Sequence, residues 1–209
     1  MFTSGYFAGD DWTRILKTTL RWRRGLRRAI GNRSEASRIV ATITTLRESS
    51  VGRWLDVGCS NSGLVAVAAE FGFESVGVDC CREAAQRLVE LGYSVTAGSL
   101  FDYGDEPFDV VSLSSVVDAM PFPSQALSHV HKLLAPRGLV YLSAPTSDSL
   151  RWRKLDSEDS NPYWGRVDRY HVFHRRSLFQ LLQNTGFEPC GYGASGSDGV
   201  GMEVIACKR

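Results

Sequence analysis

Two carboxylates stand where they could hold the two ends of one ligand. Asp56 lies next to the end of one short apolar run, Arg53 to Val57, Asp79 closes a second, and Asp79 comes 21 residues after Gly58. Between them lie a small polar loop, Gly58 to Gly63, and an Ala- and Val-rich stretch of helical length. The succession reads strand, turn, helix, strand. In a parallel βαβ unit that loop sits at the carboxyl edge of the sheet, with the next helix's free N–H groups beside it. An acid ending the neighbouring strand can accept two hydrogen bonds from a ribose diol, so the expected occupant is a nucleoside. Loops that cradle a pyrophosphate read G-x-G-x-x-G; this one reads D-V-G-C-S-N-S-G, with Ser60 and Ser62 in place of the later glycines. A pyrophosphate fits poorly beside Asp56, whereas a cationic or ammonium-bearing ligand suits it.

Further segments follow in order: G-V-D at 77 to 79, A-G-S-L-F-D at 97 to 102, F-D-V-V-S-L-S-S-V-V-D at 108 to 118, and L-L-A-P-R-G-L-V-Y-L-S-A-P at 133 to 145. With the loop at 56 to 63 they resemble the class I S-adenosylmethionine-dependent methyltransferases, in particular a bacterial subfamily loosely related to ubiquinone-biosynthesis methyltransferases, the methyltransferase domain 23 type. The resemblance implies an α/β Rossmann-like, doubly wound sheet of seven strands in the order 3-2-1-4-5-7-6, the last strand antiparallel, with an N-terminal helical cap. It implies S-adenosylmethionine as cofactor and S-adenosylhomocysteine as product. Asp56, Gly58, Cys59, Ser60, Asp79 and Cys80 would then hold the cofactor, with Asp56 near the amino or methionine end and Asp79 on the ribose. Ser99 and Leu100 would flank the adenine, and Ser114 would lie near the methionine end. No metal is expected. Many relatives carry a histidine directly after the acid at Asp118; here Ala119 stands there, so that residue's role has no bearer.

Length and composition agree. A chain of 209 residues with 43% hydrophobic content can build one α/β domain. The expected divisions are a helical cap over 1–48, a cofactor-binding core over 49–144, a lid over 145–170, and a last helix with closing strands over 171–209. Apolar runs fall short of a membrane span and no secretory succession opens the chain, so a cytoplasmic protein is expected. Cys59, Cys80, Cys81, Cys190 and Cys207 are odd in number and lack C-x-x-C spacing. They read as reduced thiols.

Net charge is +1, but residues 1 to 33 hold eight basic side chains against Asp10 and Asp11. Trp12, Ile15, Leu16, Leu20, Trp22, Leu26 and Ile30 share one helical face and the arginines the other. Such a basic amphipathic helix packs on the domain, touches an anionic membrane surface or meets nucleic acid. No nucleic-acid partner is expected, because no aromatic-interleaved basic surface continues beyond it. A second helix is expected from about Ser34 to Leu46, and together the two could cap the crevice. Further helices are expected over 81–92, 124–134 and 177–185, and strands over 93–97, 108–115, 139–144, 187–192 and 202–207. His129 and His131, two apart on a helix, face different ways and cannot share a metal.

Residues 145 to 170 show neither helical nor strand period and are dense in aromatics, which reads as a substrate lid. The candidates for contact with a small-molecule acceptor are Tyr6, Asp118, Trp164 and Tyr170. His171, in the passage H-V-F-H-R-R-S-L-F, either takes a proton from the acceptor or bonds a loop carbonyl. A sulfonium methyl is already electrophilic, so positioning is the main catalytic device and the acceptor atom is O or N. The alternatives are a catalytically silent binding or partner module, since Ser62 strains the loop if it needs a positive φ, an RNA methyltransferase, or a nicotinamide-dependent reductase. The last lacks both its glycine fingerprint and a Tyr-x-x-x-Lys pair. Oligomeric state leaves no trace in the sequence.

Overall fold

The computed structural model of the chain describes residues 26–59, 63–104, 107–195 and 199–209. Tyr6, Asp10, Asp11, Ser60, Ser62 and the first part of the basic helix lie outside the described residues. The strands are β1 (Arg53–Val57), β2 (Glu74–Asp79), β3 (Val95–Ala97), β4 (Phe108–Ser114), β5 (Leu134–Pro145), β6 (Phe187–Ser195) and β7 (Gly201–Lys208). They form a seven-stranded sheet in the order 3-2-1-4-5-7-6, with β7 antiparallel to both of its neighbours, as the resemblance implies. The chain divides after Asp102 into two compact units, described in turn.

In the first unit, β1 and β2 pair in parallel from Arg53 opposite Glu74 to Val57 opposite Val78. Their consecutive buried positions mark strands covered on both faces. Helix α2 (Gly63–Phe71) buries five residues in a row, Leu64 to Ala68, so it is enclosed on nearly every side. Part of that cover is α1 (Leu26–Arg47), which lays Ala36, Ile39, Val40 and Ile43 into the core and ties Arg33 to Glu70 through both carboxylate oxygens. The expected break before Ser34 is absent: the helix runs straight through Gly31. A glycine inside a helix costs about 1 kcal/mol, a deficit that packing along α2 can offset.

Gly77 has a packing role. A Cβ there would sit 2.6 Å from Cys59 Sγ, so only glycine lets β2 pass the loop after β1. Helix α3 (Arg82–Glu90) is capped by Cys81, whose sulfur accepts from Ala84 N at 3.4 Å, and the chain leaves it through Gly92 at φ +90°. β3 is shorter than expected, beginning at Val95.

In the second unit, α4 (Pro123–Leu133) starts on its proline and buries Ala126, Leu127, Val130 and Leu133. His129 Nε2 lies 3.0 Å from Tyr103 O, and His131 packs edge-on to Phe187 at 5.3 Å. β5 begins five residues earlier than expected because the P-R-G turn is absorbed into the strand. Gly138 is required there, since a Cβ would meet Ala135 O at 2.9 Å and Asp109 O at 3.2 Å. The stretch expected to be irregular contains helix α5 (Leu150–Ser157), capped by Ser149 Oγ accepting from Trp152 N at 3.0 Å. Trp152 and Leu155, three apart, pack with Val200 and Tyr163. Asp156 accepts from Asn161 Nδ2 and Trp164 Nε1, folding the rest of the stretch back. The last helix, α6 (Arg175–Asn184), buries Leu178 and Leu182.

Gly77→Ala should destabilise the protein by about 1–3 kcal/mol through overpacking. Adding Cys59→Ala should recover most of the loss in thermal melting, because the sulfur is the atom the new methyl strikes.

Candidate functional site

In the first unit the carboxyl ends of β1 and β2 bring two acids to one place. Asp56, opposite Gly77, is 4% exposed, and Asp79 is 6% exposed. Both carboxylates act on Cys59: burial raises its thiol pKa first, and the charges of Asp56 and Asp79 raise it further. The chain turns away from β1 at Gly58, φ +69°, a left-handed conformation that suits glycine. Gly58 N and Cys59 N both donate to Val78 O, at 2.7 and 3.3 Å, locking the loop to β2. Asp79 Oδ1 accepts from Cys81 N at 2.8 Å, which aims the carboxylate along the start of α3. Cys80 is exposed beside it, while Cys81 is buried with its thiol pushed up to about 11.

The turn after β3 borders the same strand end, with Gly98 N donating to Asp79 O at 2.9 Å. Leu100 is 4% exposed. Ser99 lends Oγ to Phe101 N, and its own N–H donates to Asp102 Oδ2 at 2.7 Å. Asp102, for which sequence reasoning offered no role, therefore holds this turn closed. The signal was present as a serine and an acid three apart, a spacing at which side chains bond turn amides.

In the second unit a polar cluster forms at the carboxyl ends of β4 and β5. Ser114 Oγ lies 3.2 Å from Ser143 Oγ, and Ser115, at φ +57°, donates its N–H to Ser143 O and Oγ, each at 3.0 Å. Asp118 sits in a 3-10 turn, its side chain 1% exposed, and pairs with Arg169 Nη1 at 2.5 Å. The same Nη1 donates to Ser115 O at 3.0 Å. Asp118 O accepts from both Tyr170 N and His171 N, at 2.9 and 3.1 Å. Three separate bonding groups thus latch residues 169 to 171 onto the turn after β4. Nothing local in the sequence pointed to Arg169 as its centre, because its partners are 51 and 54 residues away.

Polar capacity is left over in this latch. Among the described residues Asp118 Oδ1, Arg169 Nε and His171 Nε2 are buried atoms with no hydrogen-bond partner. Burial raises the Asp118 pKa despite Arg169. The His171 ring tilts over Phe173 at 5.7 Å, while Tyr170 and Trp164 are 47% and 61% exposed. Among the described residues no helix is long and apolar enough to cross a membrane.

The strand order and the paired acids define a class I Rossmann-like methyltransferase fold. Solved relatives share it. The magnesium protoporphyrin IX methyltransferase of Synechocystis PCC 6803, with S-adenosylhomocysteine bound, superposes with a TM-score of 0.70 at 19% identity, covering 92% of this chain and 95% of that one. The Burkholderia thailandensis 1,6-didemethyltoxoflavin-N1-methyltransferase, holding its acceptor and S-adenosylhomocysteine, gives 0.66 at 20% identity over 96% and 90%. In sequence, the ubiquinone biosynthesis O-methyltransferase of Caulobacter sp. (strain K31) is 36% identical over 117 residues, 51% of this chain and 46% of that protein. The chain spans about half the length of the curated relatives it matches. Residues 21–190 match the methyltransferase domain family, and the chain belongs to that family, within the class I S-adenosylmethionine-dependent methyltransferases.

Arg169→Ala should destabilise the protein by about 3 kcal/mol at pH 7, at the lower end for a broken buried pair because Arg169 is itself 23% exposed on its side chain. The deficit should shrink as pH falls towards 4. Asp118 already has a raised folded pKa, so the stability tied to it is complete below the unfolded value of 3.8 and is lost as pH rises through the folded one. Melting temperatures of both proteins from pH 4 to 8 check this.

Proposed function

We propose that the protein transfers a methyl group from S-adenosylmethionine to a hydroxyl oxygen of a small-molecule acceptor. The reading rests chiefly on the pair of buried acids at adjacent strand ends, flanking Cys59. Two carboxylates in so little space match a ligand with a cationic amino-acid end and a ribose diol, and they repel a pyrophosphate. Asp56, Gly58, Cys59 and Ser60 take the methionine side, Asp79 and Cys80 the ribose, Ser99 and Leu100 the adenine, and Ser114 the methionine end. Oxygen is preferred over nitrogen because the curated relatives are named O-methyltransferases.

When bound, S-adenosylmethionine supplies an electrophilic sulfonium methyl. The protein's part is to align the acceptor in line with it and to exclude water. His171 Nε2, buried and unpartnered among the described residues, accepts the hydroxyl proton as the oxygen attacks. The Arg169 latch fixes the backbone that carries that ring, and the exposed Trp164 and Tyr170 contact the acceptor; Asp118, expected from the sequence as a third contact, is instead buried in the latch as the partner of Arg169. Five unpaired thiols fit a reducing compartment, and we place the protein in the cytoplasm.

Asp79→Ala should weaken S-adenosylhomocysteine binding by about 10- to 100-fold in calorimetry, the effect of one or two bonds to a charged acceptor. His171→Ala should lower kcat by about 100-fold or more while leaving the cofactor Kd unchanged. The serines at 60 and 62 support a second reading, a silent cofactor-binding module. Tight binding with no turnover on any member of a phenol and alcohol panel would select it, and no binding at all would remove both.

A further inference from the structure

A groove of about 610 Å³ opens in the second unit between α5, the amino end of α6 and β6. Its walls include Arg153, Arg175 and Arg176, with His174, Gln180 and Tyr192. Asp148 is the one carboxylate among the lining residues, and it is already engaged: Oδ2 accepts from Arg175 N at 2.7 Å, and Oδ1 lies 3.0 Å from His174 Nδ1. Those bonds, the backbone N–H first, hold its carboxyl below the usual range, so it remains charged and spent on the helix terminus.

The guanidinium groups are not spent in this way. Neither Arg153 nor Arg176 forms a close ion pair among the described residues, Arg153 contributing only the smallest of the influences that keep Asp148 charged, so three arginines face one carboxylate. Arg175 lies over the Tyr192 ring at 5.4 Å, and that ring is held edge-on by Phe179 at 6.0 Å. Stacking fixes the guanidinium plane and leaves its N–H edges free for in-plane bonds. The concentration is local, since residues 103 to 209 together hold eleven Lys and Arg against twelve Asp and Glu.

We propose that this groove is an anion site that takes a phosphoryl-bearing ligand, with Arg153, Arg175 and Arg176 as its donors. Several guanidinium forks lining one groove suit an oxyanion with more than one charge, because each fork offers two parallel N–H bonds. A carboxylate, with one charge and two oxygens, satisfies fewer of them. The volume admits a diphosphate or a phosphorylated small molecule. The proposal does not depend on methyl transfer.

The test is calorimetry of the full chain with sodium pyrophosphate, using acetate at matched ionic strength as the control anion. Saturable binding of one pyrophosphate is expected, weakened at least about tenfold in Arg153→Ala/Arg176→Ala and unchanged in Arg87→Ala/Lys132→Ala, which removes the same charge elsewhere. Absence of saturation at tens of millimolar, or an equal loss in the control variant, overturns the proposal. Phosphatidylcholine vesicles containing phosphatidic acid separate the two sources of such a group. Sedimentation with the vesicles that pyrophosphate competes away assigns the site to a lipid headgroup, whereas pyrophosphate binding without sedimentation assigns it to a soluble ligand.

Discussion

Two negative charges buried at neighbouring strand ends impose the main constraint on the first unit. Asp56 and Asp79 are each under a tenth exposed, yet carboxylates are normally kept in water unless hydrogen-bonded or paired. The surroundings are arranged to tolerate them. Cys81 N–H meets Asp79, and the loop N–H groups of Gly58 and Cys59 bond Val78 O to hold the strand ends in register. Gly77 gives up its side chain so that Cys59 can fit against β2, within the field of both acids. A neutral thiol is the small group that this field tolerates, since both charges disfavour its ionisation.

A different device organises the second unit. The turn after β4 carries a left-handed serine, Ser115, a conformation that costs a non-glycine residue of the order of 1 kcal/mol. It persists because Ser143 bonds its N–H and Arg169 its carbonyl. Arg169 also pairs with Asp118, so one guanidinium maintains a strained turn and a buried acid, while Asp118 O holds the N–H groups of the next two residues. Strain held by surrounding bonds at a strand end, next to buried polar atoms with spare bonding capacity, is the usual condition of a site awaiting a ligand.

The aromatic stretch beyond β5 has structure of its own. Trp152 is buried under Tyr163 and Trp164, and Asp156 gathers Asn161 and the Trp164 indole. That arrangement leaves Trp164 with most of its surface in solvent while its position is fixed at one edge. A large ring held in that way can cover an acceptor at small entropic cost, as an aromatic anchor does at an interface.

Local chemistry determined much of this protein. Apolar runs that end on or near acids, a glycine at the first turn and the spacing from Gly58 to Asp79 are properties of neighbouring residues, and they made the first βαβ unit and its acid pair legible, while the full strand order was implied by the family resemblance. Element boundaries were less legible. The helix through Gly31 and the strand through Pro136 to Gly138 run against local preference, and the packing of α1 on α2 and of β5 between β4 and β7 accounts for both. Helix α5 hid in a stretch whose only signals were Ser149 and two apolar residues three apart. Tertiary structure alone decided the Arg169 latch and the arginine groove, because each joins side chains from separate elements, and no period in a sequence records which distant charges meet.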